Sequence, residues 1–228
     1  MRRMLPLVVL LAILGLAYTM GWHQALSWPA LAARRAELQG AVAAQPLGTA
    51  LAYVAIYAAA VAVSIPGAVV ITLTGGLLFG TVFGTVLAVI GATTGAILLF
   101  VAARSALGPM LAARAGPWLE RLRPGIERDG FNYILALRLI PVVPFWLVNL
   151  APALIGMPLA PFAAATFLGI IPATAVFASI GAGIGHVLDA GGTPDLSVIL
   201  SAPVLLPLLA LAALSLLPPI WKRWKNRG

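Results

Sequence analysis

Leu137-Arg138-Leu139-Ile140-Pro141-Val142-Val143-Pro144-Phe145 places two prolines inside an apolar run and one arginine just ahead of them. Proline lacks a backbone donor and clashes with the preceding turn, so a helix does not pass undisturbed through such a pair. The flanks, Phe131 to Ile140 and Phe145 to Gly156, are each far short of the ~20 apolar residues that span a bilayer. A segment that enters, breaks and leaves by the same face fits this pattern, and residues 131–157 read as a re-entrant hairpin. Backbone opened by such a break is tolerated at membrane depth only where it is buried in protein or lines a wet cavity. An earlier stretch has the same design. Leu47 to Val63 is apolar, breaks at Ser64-Ile65-Pro66-Gly67, and resumes from Ala68 to Phe79 before Gly80. Residues 47–80 thus read as a first hairpin. The alternative, a full crossing by 47–63, would export either the central arginines or the basic tail.

Composition sets the class around these hairpins. Of 228 residues 62% are hydrophobic and 9% charged, against about a quarter charged in soluble domains. The expectation is an all-α polytopic membrane protein. Residues 1–22 read as a retained N-terminal transmembrane helix, with a signal peptide as the alternative. Residues 23–46 form an outer interfacial segment whose helix starts near Ser27 and Pro29. The core, 47–185, comprises the first hairpin, a span over 82–103, a cytoplasmic amphipathic helix over 104–130 with Pro117 in its first turn, the second hairpin, and a span over 158–185. Residues 186–228 supply a polar turn (186–197), a last span (198–220) and a basic cytoplasmic tail. That makes four full crossings and two hairpins. Arg2, Arg3, Arg104, Arg114, Arg121, Arg123, Arg128, Lys222, Arg223, Lys225 and Arg227 then fall on one side, against Arg34 and Arg35 on the other. This is the positive-inside pattern, with both termini cytoplasmic. It also explains the net charge of +8 without nucleic acid.

The halves resemble each other. Ile65-Pro66 matches Ile140-Pro141, Gly80 falls near Gly156 and Gly91 near Gly169. With one crossing between them the hairpins enter from opposite faces, an inverted repeat of the kind used for alternating access at the midplane. Pro66, Gly67, Pro141 and Pro144 mark the breaks. Gly75, Gly76, Gly80, Gly84, Gly91, Gly95 and Gly156 read as close packing, with Gly91 and Gly95 a small-xxx-small pair.

Several chemistries are excluded. There is no cysteine, the two histidines His23 and His186 are far apart, and the six acids lie outside the most apolar runs. Neither a metal centre, a cofactor site nor a nucleophile–base set can be assembled, so an enzyme is not expected. Arg138 is the residue that needs explaining. An arginine at membrane depth costs at least ~2.5–3.5 kcal/mol on insertion scales. Its guanidinium keeps its charge and matches phosphate oxygens with paired donors. An anionic phosphate head group is the natural partner; the alternative is snorkelling to the interface. Asn149 either donates to that phosphate or caps carbonyls freed by Pro141 and Pro144.

The run Gly75-Gly76-Leu77-Leu78-Phe79-Gly80, continuing through Gly84, Gly91 and Gly95 to Phe100 and Arg104, resembles the first half of the SNARE-associated Golgi protein family, also called the VTT-domain or DedA superfamily. The run from Leu137 to Phe145, followed by Asn149 and Gly156, looks like its second-half signature. The resemblance covers roughly residues 45–185. It implies opposed re-entrant hairpins and lipid traffic: eukaryotic relatives scramble phospholipids, and bacterial relatives are implicated in recycling undecaprenyl phosphate and in membrane homeostasis. Membrane-embedded acids of the DedA branch are missing here, since no Asp or Glu occurs between Leu38 and Leu119; the chain is more similar to the branch without them.

The expected function is therefore a scramblase-type movement of phospholipid or polyprenyl-phosphate head groups in a bacterial inner membrane. Its partners would be membrane lipids, and nucleic acid is not among them. A small-solute or ion transporter and a non-transporting assembly factor docking through helix 109–129 are the alternatives.

Overall fold

The structure, a computed structural model, describes residues 34–64, 67–104, 108–139 and 145–189. The expected first and last spans, the helix start at Ser27 and Pro29, and the break residues Pro66, Pro141 and Pro144 lie outside them. The described residues form six helices and no strand: α1 (Arg35–Ala44), α2 (Pro46–Ala62), α3 (Ala68–Arg104), α4 (Gly108–Leu139), α5 (Phe145–Ile155) and α6 (Leu159–Asp189).

Helix α1 is the most polar of the first three, with Glu37 in its first turn. The chain bends by 120° between α1 and α2, and Pro46 opens α2, where its missing N–H has no helical partner to lose. Val63 caps α2 at its C-terminus. Ser64 (φ 56°) and Gly67 (φ 130°) carry the chain through the first break. Helix α3 is two helices joined at Gly80, whose φ of 76° and ψ of 176° are non-helical. Such a positive φ is open to glycine at little cost. Gly84 lies so close to the carbonyl of Gly75 that a side chain there would strike it; the chain doubles back at Gly80. The short limb 68–79 rises about 18 Å and the long limb 81–104 about 36 Å, so the second alone is long enough for a ~30 Å hydrocarbon layer.

The tyrosines of α2 fasten it to the short limb. Tyr53 Oη donates to the Ile71 carbonyl at 2.9 Å, and Tyr57 shares a 2.8 Å hydrogen bond with Thr72. Gly91 sits on Val54 and Tyr57, and Gly95 on Ala58 and Val61. These paired offsets mean that α2 and the long limb run the same way, with the short limb returning between them. Helix α2 and the short limb are antiparallel, with Tyr53 opposite Ile71 and Tyr57 opposite Ala68.

Helix α4 also contains a break, at Asp129 (φ −157°, ψ 69°). Before it, Leu119, Leu122 and Ile126 are buried while Glu120, Arg121, Arg123 and Glu127 are exposed, the two faces expected of an amphipathic helix. Its start differs from expectation. The helix begins at Gly108, with Pro109 in the first turn, so Pro117 lies in the interior and the helix gives up the one N–H bond that proline cannot make. After Asp129 the chain continues to Leu139 as the first limb of the second hairpin. Helix α5 returns, and Gly156 (φ 94°) turns it into α6. Helix α6 runs to Asp189; residues 186–189, expected in the polar turn, are its last turn. No glycine or proline stands between Gly185 and Gly191 to stop it sooner.

The long limb of α3 and α6 lie antiparallel. Phe100 stacks on Phe162 with ring centroids 4.6 Å apart, and Arg104 reaches Gly156. The C-terminal half of α6 meets the short limb instead: Gly76 touches the backbone of Ala178 and Gly181 that of Leu73, a crossing with no side chain between. Phe100, Phe162, Ile134 and Leu147 fill the centre. Large apolar side chains also face outward: Leu47 is 73% exposed and Phe83 72%. Among the described residues α3 and α6 are long and apolar enough to cross a membrane, with a third crossing if the bent α1–α2 pair is one span.

Candidate functional site

Arg138 stands in the last turn of α4, where the limb meets α5 and α6. Its stem lies over Gly169 of α6, which has no side chain to push it away. Arg138 Nη2 donates to Asn149 Oδ1 at 2.6 Å and to Thr166 Oγ1 at 3.0 Å. The guanidinium carbon lies 5.8 Å from the Phe162 ring centroid, within range of a cation–π contact. Three helices therefore fix one cation: α4 supplies it, α5 the amide, α6 the hydroxyl and the aromatic ring. Both of these acceptors are neutral groups.

Asn149 and Thr166 are 0% and 1% exposed, and Arg138 is half-buried. The side chain is thus directed into the helix junction. Asn149 Nδ2 is buried and has no hydrogen-bond partner among the described residues. That leaves a donor beside the guanidinium, and an orphaned buried donor costs about 1–3 kcal/mol unless something accepts from it.

The aromatic pair continues the site. Arg104 lies with its guanidinium carbon 5.1 Å from the Phe100 centroid, while its Nη2 donates to the Gly156 carbonyl at 3.0 Å. Two guanidinium groups thus sit at opposite ends of one stacked pair. The first hairpin holds no such cation. Tyr53, Tyr57 and Thr72 form its polar contacts, and Thr74 bonds back to the Val70 carbonyl.

The structure thus brings Arg138 and Asn149 together and adds Thr166 and Phe162, which sequence reasoning missed. The signal for Thr166 was a hydroxyl within an apolar span 28 residues from Arg138. For Tyr53 and Tyr57 it was the helical i, i+4 spacing of two hydroxyl-bearing rings in an alanine-rich run. The packing glycines divide by role. Gly75, Gly76, Gly84, Gly91 and Gly95 are close approaches, whereas Gly67, Gly80 and Gly156 are turns with open space around them.

Residues 65–183 match the family model described as the VTT domain. The chain is 32% identical to the Transmembrane protein 41 homolog of Caenorhabditis elegans over 123 residues, covering 52% of this chain and 49% of that one. It is 31% identical to the homolog of Dictyostelium discoideum over 170 residues, 72% of this chain and 48% of that one. With human Transmembrane protein 41B the identity is 28% over 177 residues, 76% of this chain and 58% of the relative. The chain spans about half to three-fifths of the length of these curated relatives. No solved structure matches it. The matched region takes in α3, most of α6 and every residue of the Arg138 site, and the chain belongs to the VTT-domain family of membrane proteins.

Proposed function

We propose that this protein moves lipids bearing a phosphate head group, phospholipid or polyprenyl phosphate, between the leaflets of a bacterial inner membrane without covalent chemistry. The observation that carries the reading is the Arg138 guanidinium, oriented by Asn149 and Thr166 at the junction of three apolar helices. Cations at membrane depth mark substrate paths or relays, and a planar guanidinium suits a phosphate monoester or diester. Asn149 Nδ2 supplies a neutral second donor. On this reading the two hairpins, each joined to the helix that follows at Gly80 or Gly156, are the halves of an inverted repeat around this site. The antiparallel setting of the long limb of α3 and α6 suits such a repeat.

The test is reconstitution of the purified protein in liposomes carrying a fluorescent phospholipid. Dithionite quenches only the outer leaflet. Quenching beyond the half seen in empty vesicles is expected. A protected fraction that stays at half, for glycerophospholipid and polyprenyl-phosphate probes alike, refutes the reading. Flux of a charged water-soluble solute without lipid movement would instead identify a solute transporter.

A further inference from the structure

The first hairpin carries a groove of its own, apart from Arg138. It lies where the chain bends by 120° between α1 and α2, and the short limb of α3 completes its wall. The groove holds about 210 Å³ and is lined by Leu38 and Val42 of α1, Ile56 of α2, and Leu78 and Phe79 of the short limb, among others. It opens outward at two further lining residues, Ala41 and Ala52, which are exposed. Phe79 stands edge-on to the Tyr53 ring with centroids 5.5 Å apart, a contact that stiffens the wall.

The lining carries no charged side chain among the described residues, and its three polar side chains are already used within the chain. The Thr49 hydroxyl donates to the Gln45 carbonyl at 2.9 Å, Tyr53 Oη to the Ile71 carbonyl at 2.9 Å, and the Thr74 hydroxyl to the Val70 carbonyl at 2.8 Å. Little is left for water, which needs two to four polar partners, or for a polar solute. The groove suits hydrocarbon.

We propose that it holds one acyl chain of a resident phospholipid, whose phosphate lies toward the Arg34 end of α1. Two observations choose this occupant. The first is size. A helix is about 10–12 Å across with its side chains, so neither a second copy nor another segment of this chain can seat a helix in about 210 Å³. A polymethylene chain, one carbon wide and flexible, can enter. The second is charge. Arg34 is exposed at the N-terminal cap of α1. Leu38, Ala41 and Val42 follow it at the spacing of one helix face. The start of α1 has Arg34 and Arg35 against one acid, Glu37, and a basic balance attracts lipid phosphate. Lipid tails are as apolar as leucine, so burial alone gives an acyl chain no reason to leave the bilayer. A fixed shape and a basic end supply the preference. The held lipid would fasten α1 to the hairpin. It is not the cargo of Arg138, and the proposal does not rest on lipid movement.

The experiment is photolabelling of the full-length protein in liposomes of dioleoyl phosphatidylethanolamine and phosphatidylglycerol. A trace of phosphatidylglycerol carries a diazirine at the end of one acyl chain, and labelled residues are mapped by mass spectrometry. Label on the groove residues should exceed that on the exposed Phe167 and Leu168 of α6 by about fivefold, the effect of roughly 1 kcal/mol. Ala41→Leu with Ala52→Leu fills the groove from its open side and should bring the two to parity. Ala55→Leu, exposed on α2 but not lining the groove, should leave the ratio alone. Arg34→Glu should lower the groove label by repelling the phosphate, and Arg138→Ala should leave it in place. Even label over all exposed apolar residues marks bulk lipid only and overturns the proposal. Groove label that survives the filling pair overturns it as well. So does groove label lost in Arg138→Ala, because the labelled lipid would then be cargo. If the filling pair does not fold, Ala52→Leu alone decides.

Discussion

Asn149→Asp separates orientation of Arg138 from availability of its charge. The substitution replaces the amide oxygen 2.6 Å from Arg138 Nη2 with a carboxylate of nearly the same shape, so the guanidinium should stay where it is. The electrostatics change. At a charge separation of about 4 Å and an effective dielectric of 20, the new pair attracts by about 4 kcal/mol. Much of that is offset by desolvating the carboxylate, and we expect folding stability to move by no more than about 1 kcal/mol. A phosphate, however, must now compete with a resident anion. Even half of the pair energy, about 2 kcal/mol, lowers phosphate occupancy by more than tenfold. Lipid movement in the dithionite assay should fall at least tenfold while the detergent-solubilised protein keeps its melting temperature within a few degrees. Asn149→Leu, which removes both the acceptor and the orphaned donor, is the companion. It should lose activity because nothing orients Arg138 from α5. Wild-type transport by Asn149→Asp at normal abundance would refute the claim that the charge of Arg138 acts on substrate.

Other substitutions test neighbouring parts of the argument. Arg138→Lys should impair transport, because lysine keeps the charge but cannot reach Asn149 and a phosphate with one planar fork, and Arg138→Ala should lose more; activity of both variants, normalised to membrane protein level, reads this out. Phe162→Ala empties a fully buried ring site that stacks on Phe100 and should cost about 3–5 kcal/mol in a denaturation assay. Tyr57→Phe removes the Thr72 partner and should cost about 1 kcal/mol with transport intact, since the first hairpin carries no cation in this site. Gly80→Ala forces a side chain into a positive φ and should cost about 1–2 kcal/mol, read as a lower melting temperature although the space around it is open.

The hairpins were legible because proline and glycine act locally. Ser64-Ile65-Pro66-Gly67 and Gly80 interrupt apolar runs at positions where only a turn can follow, and the structure turns at Ser64, Gly67 and Gly80. Arg138 was legible for the opposite reason: a charge in an apolar run needs a cause. Its partners were not. Thr166 lies in another helix, and one hydroxyl in an apolar span is ordinary until a guanidinium points at it. The Gly76 crossing was half legible. Small residues announced a close approach, but not that Ala178 was the partner. Pro117 misled because a proline in a helix can occupy the first turn or interrupt the interior, and its neighbours do not say which. Pro109 held the first-turn place instead.

The crossing of Gly76 on Ala178 and Gly181 on Leu73 bears on how this sequence can change over time. At most tight contacts a larger residue on one side is accommodated by a smaller one on the other, and the two positions drift together. Here each glycine faces a main-chain carbonyl, which every residue type carries. No substitution at position 178 or 73 trims it away. The constraint on each glycine is therefore absolute rather than paired: second-site suppressors of Gly76→Val should not arise at position 178, and the two positions should show invariance without covariation.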